Sequence, residues 1–203
     1  MMTPRPDVSA ERTAQIVEAA IAVFSRLGFH KARMDDIARE AGVSKGTLYW
    51  YFESKDAITK ALLQHLFEQE VQEVTTVLAA EGSVSERLLA LTQQLAGRLE
   101  AQEKLIPIIH EFYATATRDP TVQYTLAGYT QAYRELLAAH IQQGIERGEF
   151  HLADAEAAAT IIGSIVEGLA LLWMIDPQTV RWRDTFPLAM QLLLAGMRAD
   201  RKE

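Results

Sequence analysis

The chain has 203 residues, 49% of them hydrophobic, and no cysteine. That is enough apolar material to bury a core without cross-links, and it excludes disulfides, thiolate metal ligands and a cysteine nucleophile. The formal charge of -7 is unevenly spread: up to His65 there are 9 Lys/Arg against 8 Asp/Glu, and the remainder carries 11 against 19. An acidic body repels phosphate, so any contact with nucleic acid is confined to a local basic face in the first third.

The chain opens on a polar stretch, Met1 to Val8, holding Pro4 and Pro6, with no apolar signal core after it. Almost every later segment has helical periodicity. Ile16, Ala20, Val23, Phe24 and Leu27 form one apolar stripe that ends at Gly28. A short helix is expected from Met34, with Asp35 and Asp36 in the first turn, where the helix dipole favours negative charge. It ends at Gly42, and Ser44 can cap a third helix reaching about Tyr51. Ser54 can cap a long fourth helix carrying Ile58, Leu62 and Leu66 towards Leu78.

Beyond Gly82, Ser83 and Glu86 have capping-box spacing and open a helix through Leu88, Leu91 and Leu95. A helix over Ile106 to Ala116 tolerates Pro107 only in its first turn. Asp119-Pro120 starts the next, which runs to Arg147 before Gly148. Asp154 starts another, which Asp176-Pro177 terminates, and the last spans about Asp184 to Ala199 with Pro187 near its start. No alternating strand pattern, solenoid repeat or low-complexity segment is visible. The fold class is therefore all-α with about nine helices, divided into an N-terminal domain (1–66) and a C-terminal domain (67–203). The longest apolar stretch, Ile161 to Ile175, is interrupted by Gly163, Ser164, Glu167 and Gly168 and reads as too short and too polar to span a bilayer. A soluble protein of the cytoplasm is expected.

The segment from Met34 to Phe52 has the physical requirements of a helix-turn-helix. Ile37, Ala38 and Ala41 give the first helix an apolar face, Gly42 suits the turn, and Val43 and Leu48 pin the second helix back. Ser44, Lys45, Gly46, Thr47, Tyr49 and Trp50 are left facing outward as a major-groove surface. The run from Thr13 to Ala20, through Phe24, Gly28-Phe29, Met34 to Ala38 and Gly42 to Tyr49, on to Tyr51 to Lys55, resembles the N-terminal domain of the TetR family of bacterial regulators. The resemblance implies an Ω-shaped homodimer that reads two half-sites of a palindromic operator. It also implies a C-terminal domain for dimerisation and a small-molecule effector, and a repressor that the effector releases.

Carried over by position, the resemblance places Thr47, Tyr49 and Trp50 against DNA, with Ser44, Lys45 and Gly46 at the tip of the recognition helix. It puts Lys55 on a phosphate and Arg33 on a phosphate or base edge. Lys45 is the expected base-edge reader. Tyr51 stands where the family commonly has histidine, Phe52 falls in core phase, and Arg5 and Arg12 are either further DNA contacts or solvated cations.

In the C-terminal part, the small residues Ala159 and Gly163, with Leu188, Leu192, Ala195 and Gly196 on the last helix, suit an intersubunit four-helix bundle or packing within one subunit. Tyr129 and Tyr133 lie on a helical stripe, and Tyr113 and Trp173 are further aromatics suited to a pocket or to ordinary core. His110, Glu111 and Glu167 are ionisable groups amid apolar residues and need partners. A carboxylate facing aromatics could hold a cationic effector, or it could serve in an interface ion pair. No spacing of metal ligands, cofactor loop or nucleophile elbow is present. An enzyme, or a helical interaction protein that binds no DNA, stand as the alternatives.

Overall fold

The computed structural model describes residues 8–101 and 103–198. Arg5, the polar start through Asp7, and Ala199 lie outside the described residues. Nine α-helices occur among the described residues: α1 (Val8–Leu27), α2 (Met34–Glu40), α3 (Lys45–Tyr51), α4 (Lys55–Leu78), α5 (Val84–Ala101), α6 (Ile106–Ala116), α7 (Pro120–Glu146), α8 (Ala155–Ile175) and α9 (Trp182–Met197). One 3₁₀ turn, Glu103–Leu105, leads into α6. The chain divides after Glu68 into two compact units, so α4 contributes its first part to one and the rest to the other.

The first unit follows from its caps and one apolar cluster. Ile16, Ala20, Val23, Phe24, Ile37, Leu48, Ile58 and Leu62 are at most 1% exposed, and each large side chain so buried contributes about 1.5–3 kcal/mol. Leu27, at the last position of α1, leaves the stripe and is 38% exposed. Asp36 Oδ2 accepts from the Arg33 backbone N–H (3.2 Å) at the start of α2. Gly42 turns the chain at φ 63°, a conformation a side chain would strain. Gln15 Nε2 donates to the Ala41 carbonyl (2.7 Å) and ties α1 to the end of α2.

In the second unit α7 packs on α8, α5 on α9, and α6 on both α7 and α8. Its core joins Val74, Leu78, Leu88, Leu91, Leu95, Leu137, Ile141, Ile162, Trp182, Phe186, Met190 and Leu194. The Ser83–Glu86 capping box forms as the spacing predicts, through Ser83 N–H to Glu86 Oε2 (2.9 Å) and Glu86 N–H to Ser83 Oγ (3.2 Å). Arg87, buried on α5, caps the C-terminus of α4 by donating to the Leu78 carbonyl. Asp119 and Asp154 cap α7 and α8. Gly144 lets Phe150 lie on α7, since a Cβ there would sit 2.4 Å from the ring. The last helix begins at Trp182, two residues before the expected start. Trp182 stacks on Phe186 (4.8 Å between centroids) and donates from Nε1 to the Ala96 carbonyl (3.2 Å), which extends the helix back.

By length and composition, α8 is one helix among the described residues apolar enough to cross a membrane. That corrects the expectation from Ile161–Ile175, because the helix begins at Ala155 and adds apolar residues. Its side chains divide between the unit's core (Ala158, Ala159, Ile162, Ala170) and an exposed stripe.

Candidate functional site

One face of α3 is pinned and the other is offered. Ser44 Oγ accepts the Thr47 backbone N–H (3.0 Å) and shares a hydrogen bond with Thr47 Oγ1 (2.8 Å), so two hydroxyls fix the start of the helix. Leu48 is fully buried, whereas Tyr49 is 45% and Trp50 75% exposed. Two exposed aromatics with polar tips on one turn are characteristic of a surface awaiting a partner. Tyr51 is half-buried with its ring edge-on to Trp50 (4.6 Å), and Phe52 joins the core. Ser44, Lys45 and Gly46 are exposed beside them, and Arg33 is exposed at the start of α2.

Several cations near this face already have partners. Lys45 pairs with Asp35 of α2 (2.8 Å) and lies over the Tyr49 ring (5.9 Å from its centroid). The hydrogen bond to Asp35 raises its ammonium above the ordinary lysine value. Arg26 pairs with Glu40 (2.8 Å) and Arg39 with Asp36 (3.4 Å). Arg12 donates to Gln15 (2.7 Å). Lys55, expected on a phosphate, donates from Nζ to the Phe29 and Ala32 carbonyls (2.8 and 3.3 Å) and sits 4.2 Å from the Phe29 ring centroid. Those bonds tie the start of α4 to the loop between α1 and α2.

The second unit holds a cavity of about 380 Å³ between α4, α7 and α8. Tyr129, Tyr133 and Arg134 of α7 line one wall, and Thr160, Gly163, Ser164 and Glu167 of α8 line another. Glu70 of α4 completes it. Tyr113, on α6, donates from its hydroxyl to Glu167 Oε1 (2.9 Å). Tyr129 forms the matching hydrogen bond to Glu70, and the rings of Tyr129 and Tyr133 are 6.2 Å apart.

Burial pushes the Glu70 and Glu167 carboxyls above the ordinary carboxylate value, and the tyrosine hydroxyls partly oppose this. Glu167 as a residue stays solvent-exposed, but its carboxyl end turns into the cavity. Burial and the nearby carboxylates push Tyr113, Tyr129 and Tyr133 up, so all three remain neutral donors at physiological pH.

Of the expected pocket residues, Tyr129, Tyr133 and Glu167 line this cavity, and Tyr113 joins it through its hydrogen bond. His110 stands one step back, edge-on to Tyr113 (5.6 Å), and burial lowers its pKa. Glu111 is half-buried on the same helix and does not line the cavity. Trp173 belongs elsewhere: it stacks on Trp182 (6.1 Å) and borders a separate depression with Ile106 and Pro107. Glu70 was not foreseen. Its signal was a charge in phase with Leu63, Leu66, Phe67 and Val74 on the buried stripe of α4.

The expected interface residues also divide. Ala159 is 2% exposed and, with Gly163, lines the cavity, which fits the alternative of packing within one subunit. Leu188 and Leu192 of α9 are 54% and 67% exposed, with Ala195 and Gly196 exposed beside them. On α8 the exposed apolar stripe is Ile161, Leu172 and Ile175.

A capped recognition helix with an offered face in the first unit, and a half-open pocket of mixed polar and aromatic lining in the second, are the features of a helix-turn-helix transcriptional regulator with a ligand site. Residues 16–62 match the sequence model of bacterial regulatory proteins of the tetR family. Residues 84–193 match that of the C-terminal domain of BetI-type transcriptional repressors. The chain belongs to the TetR family of DNA-binding transcriptional repressors.

Among its relatives, the HTH-type transcriptional regulator TtgR of Pseudomonas putida is 28% identical over 202 residues, covering 91% of this chain and 94% of that protein. A transcriptional regulator from Saccharomonospora viridis, solved in complex with choline, superposes with a TM-score of 0.83 at 21% identity, covering 95% of this chain and 100% of that one. FadR from Bacillus subtilis, solved with stearoyl-CoA, gives 0.77 at 22% identity, covering 91% and 99%.

Proposed function

We infer that the protein binds a palindromic operator as a homodimer, with α3 of each subunit in the major groove. The observation that carries this is the α3 face: Leu48 fully buried, with Tyr49 and Trp50 exposed one and two residues on. Tyr49, Trp50 and Thr47 contact the backbone and position the helix, and Ser44 and Gly46 allow its N-terminus close approach. Lys45 exchanges Asp35 for a base edge, and Arg33 meets a phosphate. The exposed apolar stripes of α8 and α9 pack on their symmetry mates, as Leu188, Leu192, Ala195 and Gly196 permit.

The cavity lined by Glu70, Tyr129, Tyr133 and Glu167 takes the small-molecule effector. Glu70 belongs to the same continuous helix that starts at Lys55 in the DNA-reading unit. An effector that prefers one placement of α4 therefore shifts the operator equilibrium by its differential affinity for the two states. The protein acts in the cytoplasm, where its DNA is, and carries out no catalysis.

The test is anisotropy titration of duplex DNA flanking the protein's own gene across a range of salt. Phosphate contacts release counterions, so affinity falls steeply as salt rises. Absence of binding, or a flat salt response, would favour a helical interaction protein instead.

A further inference from the structure

The cavity's polar groups are arranged by sign. Glu70 and Glu167 come from different helices, α4 and α8, and face the same space. A tyrosine hydroxyl orients each: Tyr129 donates to Glu70, and Tyr113 to Glu167. The hydroxyls are thereby spent on the carboxylates, while the rings of Tyr129 and Tyr133 border the space as π surfaces. The nearby cations are placed differently. Arg98 is paired with Glu73 (2.8 Å), and Arg134, on the α7 wall, is itself solvent-exposed, so two carboxylates face the space against one exposed cation.

Carboxylates in such a place carry a desolvation cost that a cation arriving beside them offsets. Aromatic faces attract the same cation through their quadrupoles. An anion meets both carboxylates against the single exposed guanidinium of Arg134. A neutral ligand gains only apolar contact.

We propose that this cavity selects an organic cation, a protonated or quaternary amine carrying apolar groups, with Glu70 and Glu167 as its counter-charges and the Tyr129 and Tyr133 rings as its walls. The proposal rests on reading the cavity as the effector site and adds the charge and chemical class of the effector. Thr160 and Ser164, whose hydroxyls donate to the Glu156 and Thr160 carbonyls, leave acceptor oxygens on the α8 wall for an N–H of the cation.

The test uses the full-length protein and three probes on one frame: 4-tert-butylbenzylamine, 4-tert-butylbenzyl alcohol and 4-tert-butylbenzoate, titrated by calorimetry near pH 8. The amine is expected to bind about tenfold or more tightly than the alcohol, and the benzoate more weakly than either. Glu70→Gln and Glu167→Gln should each weaken the amine by about tenfold and leave the alcohol within about twofold. Tyr133→Leu should weaken the amine, and Tyr133→Phe should restore it, because the ring face is what the cation meets. Melting curves establish that each variant is folded.

Equal affinity for amine and alcohol overturns the proposal, as does binding of none of the three at about 1 mM. So does an unchanged amine affinity in both glutamine variants. Operator release is measured separately with the bound amine. Charge-selective binding that leaves operator affinity unchanged removes the effector role of the cavity while its cation selectivity stands.

Discussion

Leu192→Glu tests the dimer face quantitatively. In the single chain Leu192 is 67% exposed, on the same face of α9 as Leu188 at 54%. Full burial of a leucine is worth about 1.5–3 kcal/mol, so sealing the exposed two-thirds gains about 1–2 kcal/mol per copy. A two-fold interface uses each residue twice, and losing both copies removes about 2–4 kcal/mol. At about 1.4 kcal/mol per tenfold, that is about a 30- to 700-fold weaker dimer, before the cost of burying two carboxylates. Sedimentation velocity across a concentration series reads the dissociation constant directly, and circular dichroism checks that the monomer stays folded. Tyr124→Glu is the control: Tyr124 is 83% exposed but belongs to α7 and to neither stripe, and its loss should leave the dimer unchanged. An undiminished dimer in Leu192→Glu, or a wild-type chain that is monomeric throughout the series, would refute the reasoning.

Three further outcomes follow from local geometry. Gly144→Ala should destabilise the protein by about 1–3 kcal/mol, because overpacking against a ring outweighs the gain of about 1 kcal/mol from helix propensity. The new Cβ would lie 2.4 Å from Phe150, itself 3% exposed; urea denaturation reads the loss, and Phe150→Leu should recover part of it. Glu167→Gln should raise the melting temperature over wild type more at pH 8 than at pH 4.5. Burial lifts the Glu167 carboxyl above its ordinary value, so its stability contribution is fullest below the unfolded pKa and fades as pH rises through the folded one. The groups around it are the Tyr113 hydroxyl, Glu70, the Tyr133 ring and Arg134, and a gain that shrinks with pH would show the carboxylate to be favoured instead. Ser44→Ala should cost about 1 kcal/mol of stability through the lost cap, and a thermal melt indistinguishable from wild type would count against the capping role.

The helical framework was legible because its signals are local. Ser44, Ser83, Asp119 and Asp154 cap the helices whose apolar periods follow them. The division of the four aromatics after Leu48 was equally readable, since helical phase alone separates exposed Tyr49 and Trp50 from buried Phe52. What was not legible depended on which neighbour a residue meets. Small residues signal space, and Ala159 and Gly163 spend it on a cavity inside the subunit. Trp173 has the composition of a pocket wall but finds Trp182, 6.1 Å away. Glu70 escaped notice inside a polar run, although its phase on α4 placed it among buried side chains.

The most direct measurement compares operator affinity of wild type, Lys45→Ala and Tyr49→Ala by fluorescence anisotropy at fixed salt, with sedimentation confirming that each variant keeps its oligomeric state. With α3 as the reading surface, Lys45→Ala should lose about tenfold or more and relax sequence preference. Tyr49→Ala should weaken all duplexes alike, as loss of a backbone contact does. If both variants bind the operator as wild type does, α3 is not the DNA-reading helix of this protein.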